Sequence, residues 1–507
     1  MIVTIMGKLQ PGDKGKTDKQ REKEIERCSF MDTGDILYQQ VYDSKLNKSI
    51  FIENNKGELN RVDKFFYQNL EYKPHIGEEL NKCVVQLATE PLSFTDTTTL
   101  IDEIKTHIHK YLDINPQYEQ FAAWYVLLTW LYDRFNTIVY LRALGDTGCG
   151  KTRFLNVIGG LCYNTTKGSG AVSVAAIKRL TEKWKGTLIV DEGDFKDSDE
   201  KNELIKFFNL GFERDSPMIN CDKNDPNKLE FYIPYCPKII ATRRSFTDKA
   251  LEARCLTHIM KQTARTDIPY ILPNNYYEEV LALKNKLLKF RMDWYHQINT
   301  TQVIDYNIDI EPRLKQATYA FASMFNDIPE AKKLFMRFLK DYQTELIDER
   351  ASSFEGQIVN IFMDFVCEEE YQISTKMITE TIQNDGYRKC TVASVGKVLK
   401  SLGFTNKVMK IDGASKRILL VSSRTFGELV KRYISDENKV TRLQKLQALL
   451  APSLFFFTSA KVRQQQFEGS GGYRNEGVHH RAVTSVTAVT QNDKVTEVTE
   501  VTEEKIE

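Results

Sequence analysis

The run GDTGCGKT, from Gly145 to Thr152, matches the pattern G-x-x-x-x-G-K-[ST] at every fixed position. The apolar stretch TIVYLRAL (137–144) stands before it, and RFLNVIGGLCY (153–163) after it has the apolar spacing of a helix. A chain with this order has few options: a buried strand, a tight glycine turn, then the start of a helix. A strand that feeds a helix returns through a crossover to a parallel neighbour, so the fold class is α/β with a parallel sheet. Gly145, Gly148 and Gly150 let successive N–H groups converge on an anion at the helix N-terminus, where the helix dipole favours negative charge. Asp146, Thr147 and Cys149 fill the variable positions of the loop. Lys151 is placed to reach the β- and γ-phosphates of a nucleotide, and Thr152 to hold magnesium.

The stretch GTLIVDEGDF (186–195) reads as a buried strand ending in two carboxylates, about 40 residues after the loop. Asp191 would orient magnesium and its waters, and Glu192 would position the attacking water, since phosphoryl transfer needs placement and charge stabilisation. A further strand-like run, KIIAT (238–242), ends in Thr242 and leads into RRSFTDKALEARCLTHIM. Between the two, MINCDKNDPNKLEFYIP (218–234) places β-like runs on either side of the turn signal KNDPNK, which reads as a hairpin.

The runs AAIKRLTEKWKGTLIVDEGDF, KNELIKFFNLGFERDSPMINCDK and YCPKIIATRRSFTDKALEARCLT, taken with the loop, resemble the helicase-type AAA+ cores of mobile-element, plasmid and viral replication proteins. The sequence is similar to the superfamily 3 and MCM-like branch over roughly residues 120–320. The resemblance implies a P-loop NTPase core with a helical lid, ATP and Mg2+ as cofactors, and a homo-hexameric ring that moves along single-stranded DNA as a helicase. It places Thr242 where a polar sensor touches the γ-phosphate or the attacking water. It places Arg254, in LEAR, where a finger reaches the neighbouring subunit's site, with Arg243 and Arg244 as competitors. Arg313, which opens a lid helix, stands where a second sensor reads the γ-phosphate, and Arg291 is the alternative. A hairpin before the sensor strand projects into the ring channel and grips phosphates, which makes Lys223 and Lys228 the candidates at its tip and Arg214 another upstream. The pattern departs from the superfamily at one point: Thr242 and two arginines stand where an Asn is frequent.

With 507 residues the chain has room for about three domains. Its 70 Lys and Arg against 69 Asp and Glu exclude a protein that coats DNA by overall charge, and leave a locally basic channel open. Nine cysteines without a C-x-x-C pair argue against a disulfide framework or zinc site and for a reducing, cytoplasmic setting. The most apolar run, FAAWYVLLTWLY (121–132), is too short to span a bilayer and predicts a buried helix just before the first core strand.

The expected organisation is a small α+β module (1–100) with NNKG as a hairpin turn, the ATPase core (101–270) and a helical lid (271–350). A winged-helix domain (351–425), a C-terminal helix (426–461) and a disordered tail (462–507) follow. The winged helix is read from three helix patterns followed by two β-like runs in NKVMKIDGASKRILLV. Its third helix would expose Ser394, Lys397 and Lys400 to duplex DNA, with Lys410, Lys416 and Arg417 in the wing. The tail repeats Val-Thr with a period of three, which suits neither helix nor strand. An AAA+ initiator, loader or remodeller that uses ATP as an assembly switch is the alternative to a processive helicase.

Overall fold

A computed structural model describes residues 25–434, apart from 169–171, 192–198, 222–224, 226, 301–303, 305, 326–327, 369, 371, 386–389 and 412. The C-terminal segment read as disordered lies outside the described residues. The chain divides into two compact units between Leu346 and Ile347.

The centre of the first unit is a parallel sheet of strands β1 (Tyr140–Leu144), β2 (Thr165–Gly168), β3 (Leu188–Val190), β4 (Lys238–Thr242) and β5 (Cys255–Ile259). They lie in the order β5-β1-β4-β3-β2, and a short antiparallel strand, Val85–Gln86, closes the β2 side. Every residue of β3 and β4 is buried, the near-continuous apolar signature of a parallel strand covered on both faces. Crossover handedness puts the covering helices on opposite faces, and the side chains bear this out. Ile189 of β3 meets Gly159 of the helix that follows the glycine loop, where an added Cβ would come within 2.4 Å of its Cδ1. Its neighbour Leu188 points the other way, toward Gly168 and Ile177 of the next helix.

Helices α1 (Thr97–Tyr111) and α2 (Pro116–Thr129) precede the sheet, and α3 (Lys151–Gly159), α4 (Val174–Trp184) and α5 (Asp199–Leu210) connect its strands. Asn115 caps α2 by accepting the Gln117 N–H, and Pro116 takes the first helical position, where a missing N–H costs nothing. Phe121 to Leu128 are all buried, as the apolar run predicts. Its Phe, Val and Leu side chains each contribute roughly 1.5–3 kcal/mol by leaving water. Helices α6 (Tyr276–Trp294), α7 (Pro312–Phe325) and α8 (Pro329–Ala351) follow the sheet, and residues of α6 and α7 belong to the same apolar core as its strands.

Arg291 of α6, the alternative second sensor, is a core residue. Its guanidinium is fully buried and clamps Asp133 through bonds of 2.8 and 2.7 Å, with Nε donating to Gln39 at 3.1 Å. Burial raises the Asp133 pKa, and the Arg291 charge more than offsets it, leaving the carboxyl below its usual range. Removing one partner strands the other, so Asp133→Ala is expected to cost about 3–5 kcal/mol in urea unfolding. A loss below about 1 kcal/mol would show that the pair is not buried as described.

The N-terminal part forms an antiparallel sheet of Phe30–Asp32, Ile36–Asp43, Lys48–Asn55 and Glu58–Val62. Its NNKG turn is tight: Lys56 and Gly57 take φ of 52° and 100°, and the Gly57 N–H donates to Asn54 Oδ1 at 2.8 Å.

The second unit packs α9 (Phe354–Cys367), α10 (Thr375–Asn384) and α11 (Val392–Ser401) around Ile358, Val359, Met363, Ile378 and Val395. Ser353, Ser374 and Thr391 cap them, each accepting a first-turn N–H. An antiparallel pair, Thr405–Ile411 with Ala414–Leu420, follows, and then α12 (Ser423–Tyr433). That helix begins at Ser423, earlier than residue 426, because Ser422 supplies the cap.

Candidate functional site

The glycine loop leaves the middle of the sheet. Strand β1 is hydrogen-bonded on both sides at its end: the Gly145 N–H donates to Thr242 of β4 at 3.1 Å, and the Met260 N–H donates to Leu144 at 2.7 Å. A Cβ at Gly145 would lie 2.8 Å from both Cys149 Sγ and the Met260 carbonyl, so no side chain fits. Gly148 and Gly150 have φ of 84° and 91°, the left-handed region open to glycine. Gly150 caps α3 without a side-chain cap bond among the described residues, which leaves the first-turn N–H groups suited to an anion. Lys151 curls into this loop and donates to the carbonyls of Gly145 (2.7 Å) and Asp146 (2.6 Å). The Cys149 thiol also donates to Asp146 O, at 2.9 Å, while Asp146 and Thr147 are exposed.

Three strands then bring their ends together. Thr152 Oγ1 donates to Asp191 Oδ2 at 3.1 Å, and the Asp191 N–H donates to Gly168 O at 3.3 Å, which holds the carboxylate just past β3. A hydroxyl and a carboxylate side by side are the hard oxygen donors that Mg2+ takes when phosphates supply the rest. Among the described residues no cluster of three His, Cys, Asp or Glu could hold a metal without such help. Thr242 is fully buried at the end of β4, and its Oγ1 has no hydrogen-bond partner among the described residues. An orphaned buried hydroxyl costs about 1–3 kcal/mol and calls for a partner. Glu192 lies outside the described residues.

The arginines divide between the two ends of the sheet. Arg243 and Arg244 follow Thr242 directly and are exposed at the loop's own end. Arg254 sits at the other end: its carbonyl accepts the Tyr140 N–H at 2.9 Å, where β1 begins. The Arg254 guanidinium donates to Ala250 O at 2.8 Å and stands over the ring of Phe212, 5.4 Å from its centroid. Arg313 stands over the same ring at 4.6 Å. The Phe212 carbonyl accepts the Ile138 N–H at 3.0 Å, which fixes this cluster before the start of β1. Four residue steps of about 3.3 Å, roughly 13 Å, separate the start of β1 from its end.

Arg313 is therefore not brought to Lys151 of its own chain, against the expectation for a second sensor. The cause is where α7 begins: Thr137, just before β1, donates to Gln316 O at 3.4 Å. Burial, and then the neighbouring Arg254 charge, lower the Arg313 pKa from its ordinary value.

The expected hairpin is present as Met218–Cys221 paired with Leu229–Tyr232. Lys228 is exposed at its turn, whereas Lys223 lies outside the described residues. Arg214 is held at the root, donating to Asp133 O and lying over Tyr235 at 5.6 Å, so it does not reach the tip. Sequence reasoning missed the hairpin's outer face, where Ile219 and Phe231 pair across the strands and are 55% and 59% exposed. The alternation in MINC and LEFY was the available signal. In the second unit Lys397 and Lys400 are exposed on one face of α11, while Ser394 spends its hydroxyl on the cap with Thr391. On the hairpin strands Lys410, Lys416 and Arg417 are exposed, and Lys416 donates to Gln372 at 2.8 Å.

No helix among the described residues is long and apolar enough to cross a membrane. No protein-family model matches the chain, and no curated protein matches it. Among solved structures it is similar to the apo form of the NrS-1 C-terminal region, at 13% identity and a TM-score of 0.37, over 77% of this chain and 96% of that one. It is similar to SCCmec type IV Cch, an active helicase, at 12% identity and a TM-score of 0.37, over 85% of this chain and 78% of that one. A ligand-bound JCV helicase follows at 11% identity and a TM-score of 0.21, over 52% and 65% of the two chains. Likenesses this distant carry no argument, and function rests on the residues described above.

Proposed function

We propose that the chain is an ATP-hydrolysing DNA helicase or translocase of AAA+ type, serving replication of a mobile element, plasmid or virus, and working as a ring, a homo-hexamer. One observation supports the shared-site part: Arg254 and Arg313, neither with a carboxylate partner among the described residues, stand at the sheet end opposite Lys151, where they suit the site of a second copy better than their own. The parallel strand order and the convergence of Lys151, Thr152, Asp191 and Thr242 at one sheet end support nucleotide chemistry there. Thr152 and Asp191 would hold Mg2+, which would supply charge neutralisation for the phosphates.

In this reading the loop N–H groups and Lys151 bind the phosphates. Thr242 offers its buried hydroxyl to the γ-phosphate or the water, and Glu192 orients that water. A neighbour's Arg254 stabilises the charge of the transition state. Three capped helices followed by an antiparallel hairpin support a winged helix, with Lys397, Lys400, Lys416 and Arg417 toward duplex DNA. The 218–232 hairpin, with Lys228 and Lys223, meets single-stranded DNA.

Lys228→Ala tests that contact. It is expected to leave thermal unfolding unchanged, weaken single-stranded DNA binding, and reduce the slope of log K against log salt by about 0.7, one phosphate contact. An unchanged slope at unchanged affinity would remove Lys228 from the DNA path. The initiator alternative gains if ATP drives assembly while DNA leaves turnover unaffected.

A further inference from the structure

Phe212 has no chemistry of its own, yet its ring is the common floor of two guanidiniums. Arg254 and Arg313 stand 5.4 and 4.6 Å from its centroid, and the ring is fully buried. Two positive charges this close repel each other, and neither has a carboxylate within ion-pair distance among the described residues. Arg313 bonds only the neutral amide of Gln316, and Arg254 Nε is buried without a hydrogen-bond partner among the described residues. The Glu213 carboxylate acts on Arg313 without offsetting burial and the Arg254 charge, and what the two guanidiniums share directly is the negative face of one aromatic ring. That ring is itself fixed, by the backbone bond to Ile138 and an edge contact with Tyr140 at 6.5 Å.

We propose that Phe212 is a positioning residue that holds Arg254 and Arg313 side by side as a receptor for an anion, the terminal phosphate of a nucleotide bound to a second copy of this chain. The proposal deepens the shared-site reading and rests on it. A side chain that merely filled space here could be any large apolar residue. A ring that holds cations works through its quadrupole, which fluorine withdraws at nearly constant shape.

The test places mono-, di- and trifluorophenylalanine at position 212 of the full chain, with Phe212→Leu and Arg254→Ala alongside. The readouts are kcat and KM for ATP and the unfolding temperature. Turnover is expected to fall stepwise with fluorine number, by about fivefold across the series, with KM within twofold and the unfolding temperature constant. Phe212→Leu is expected to fall at least as far. Wild-type turnover across the whole fluorine series, or a loss in Phe212→Leu that only follows its unfolding temperature, overturns the positioning role. The two failures are distinguishable: if Arg254→Ala keeps wild-type turnover, the shared site itself is wrong. If Arg254→Ala collapses turnover and the fluorinated chains keep it, only the role of Phe212 is.

Discussion

Arg254→Ala is expected to lower ATP turnover by about 10³–10⁵-fold while leaving nucleotide affinity nearly unchanged, because a finger acts on charge that develops in the transition state. Arg254 stands at the sheet end away from its own loop, so on the proposed shared site its loss is felt in a neighbouring copy. Mixing Arg254→Ala with Lys151→Ala subunits should restore part of the activity, since some interfaces then join an intact loop to an intact finger. Absence of rescue at every mixing ratio, in rings shown to contain both variants, would mean that the site is complete within one chain. Arg313→Ala should behave as Arg254→Ala does in the mixing experiment, because both guanidiniums share one ring.

Lys151→Ala should reduce turnover by about 10²–10³-fold, the usual cost of removing one preorganised charge from a transferring group. Its unfolding temperature should hold, because the bonds of Lys151 among the described residues go to its own loop, to the Gly145 and Asp146 carbonyls and Cys149 Sγ. Glu192→Gln should differ in kind, retaining ATP and trapping the bound state. Turnover at the wild-type rate in Glu192→Gln would assign the water to another residue.

What could be read from the sequence was local. The glycine loop, the hairpin turn at Lys56–Gly57, the caps at Ser353, Ser374 and Thr391, and the buried run of α2 each follow from residues within a few positions of one another. The strand ends at Asp191 and Thr242 were legible because an apolar strand ending in a polar residue is also a local pattern. Pairings between distant segments were not. The family resemblance put Arg313 beside its own loop, but α7 packs against Thr137, just before β1, and that packing decides its position. Phe212 carried no motif, since an aromatic in NLGFERD reads as core filler until the two arginines are seen above it. Arg291 was read as the alternative second sensor, and its buried partner Asp133 stands 158 positions away.

Strand displacement on duplexes with a 3′ or a 5′ single-stranded tail, with and without ATP, tests the motor most directly. The wild-type chain is expected to separate one of the two substrates only when ATP is hydrolysed, and Lys151→Ala and Arg254→Ala are expected to separate neither. ATP consumption that separates neither substrate, under conditions where the ring is assembled on the DNA, would contradict a translocating helicase.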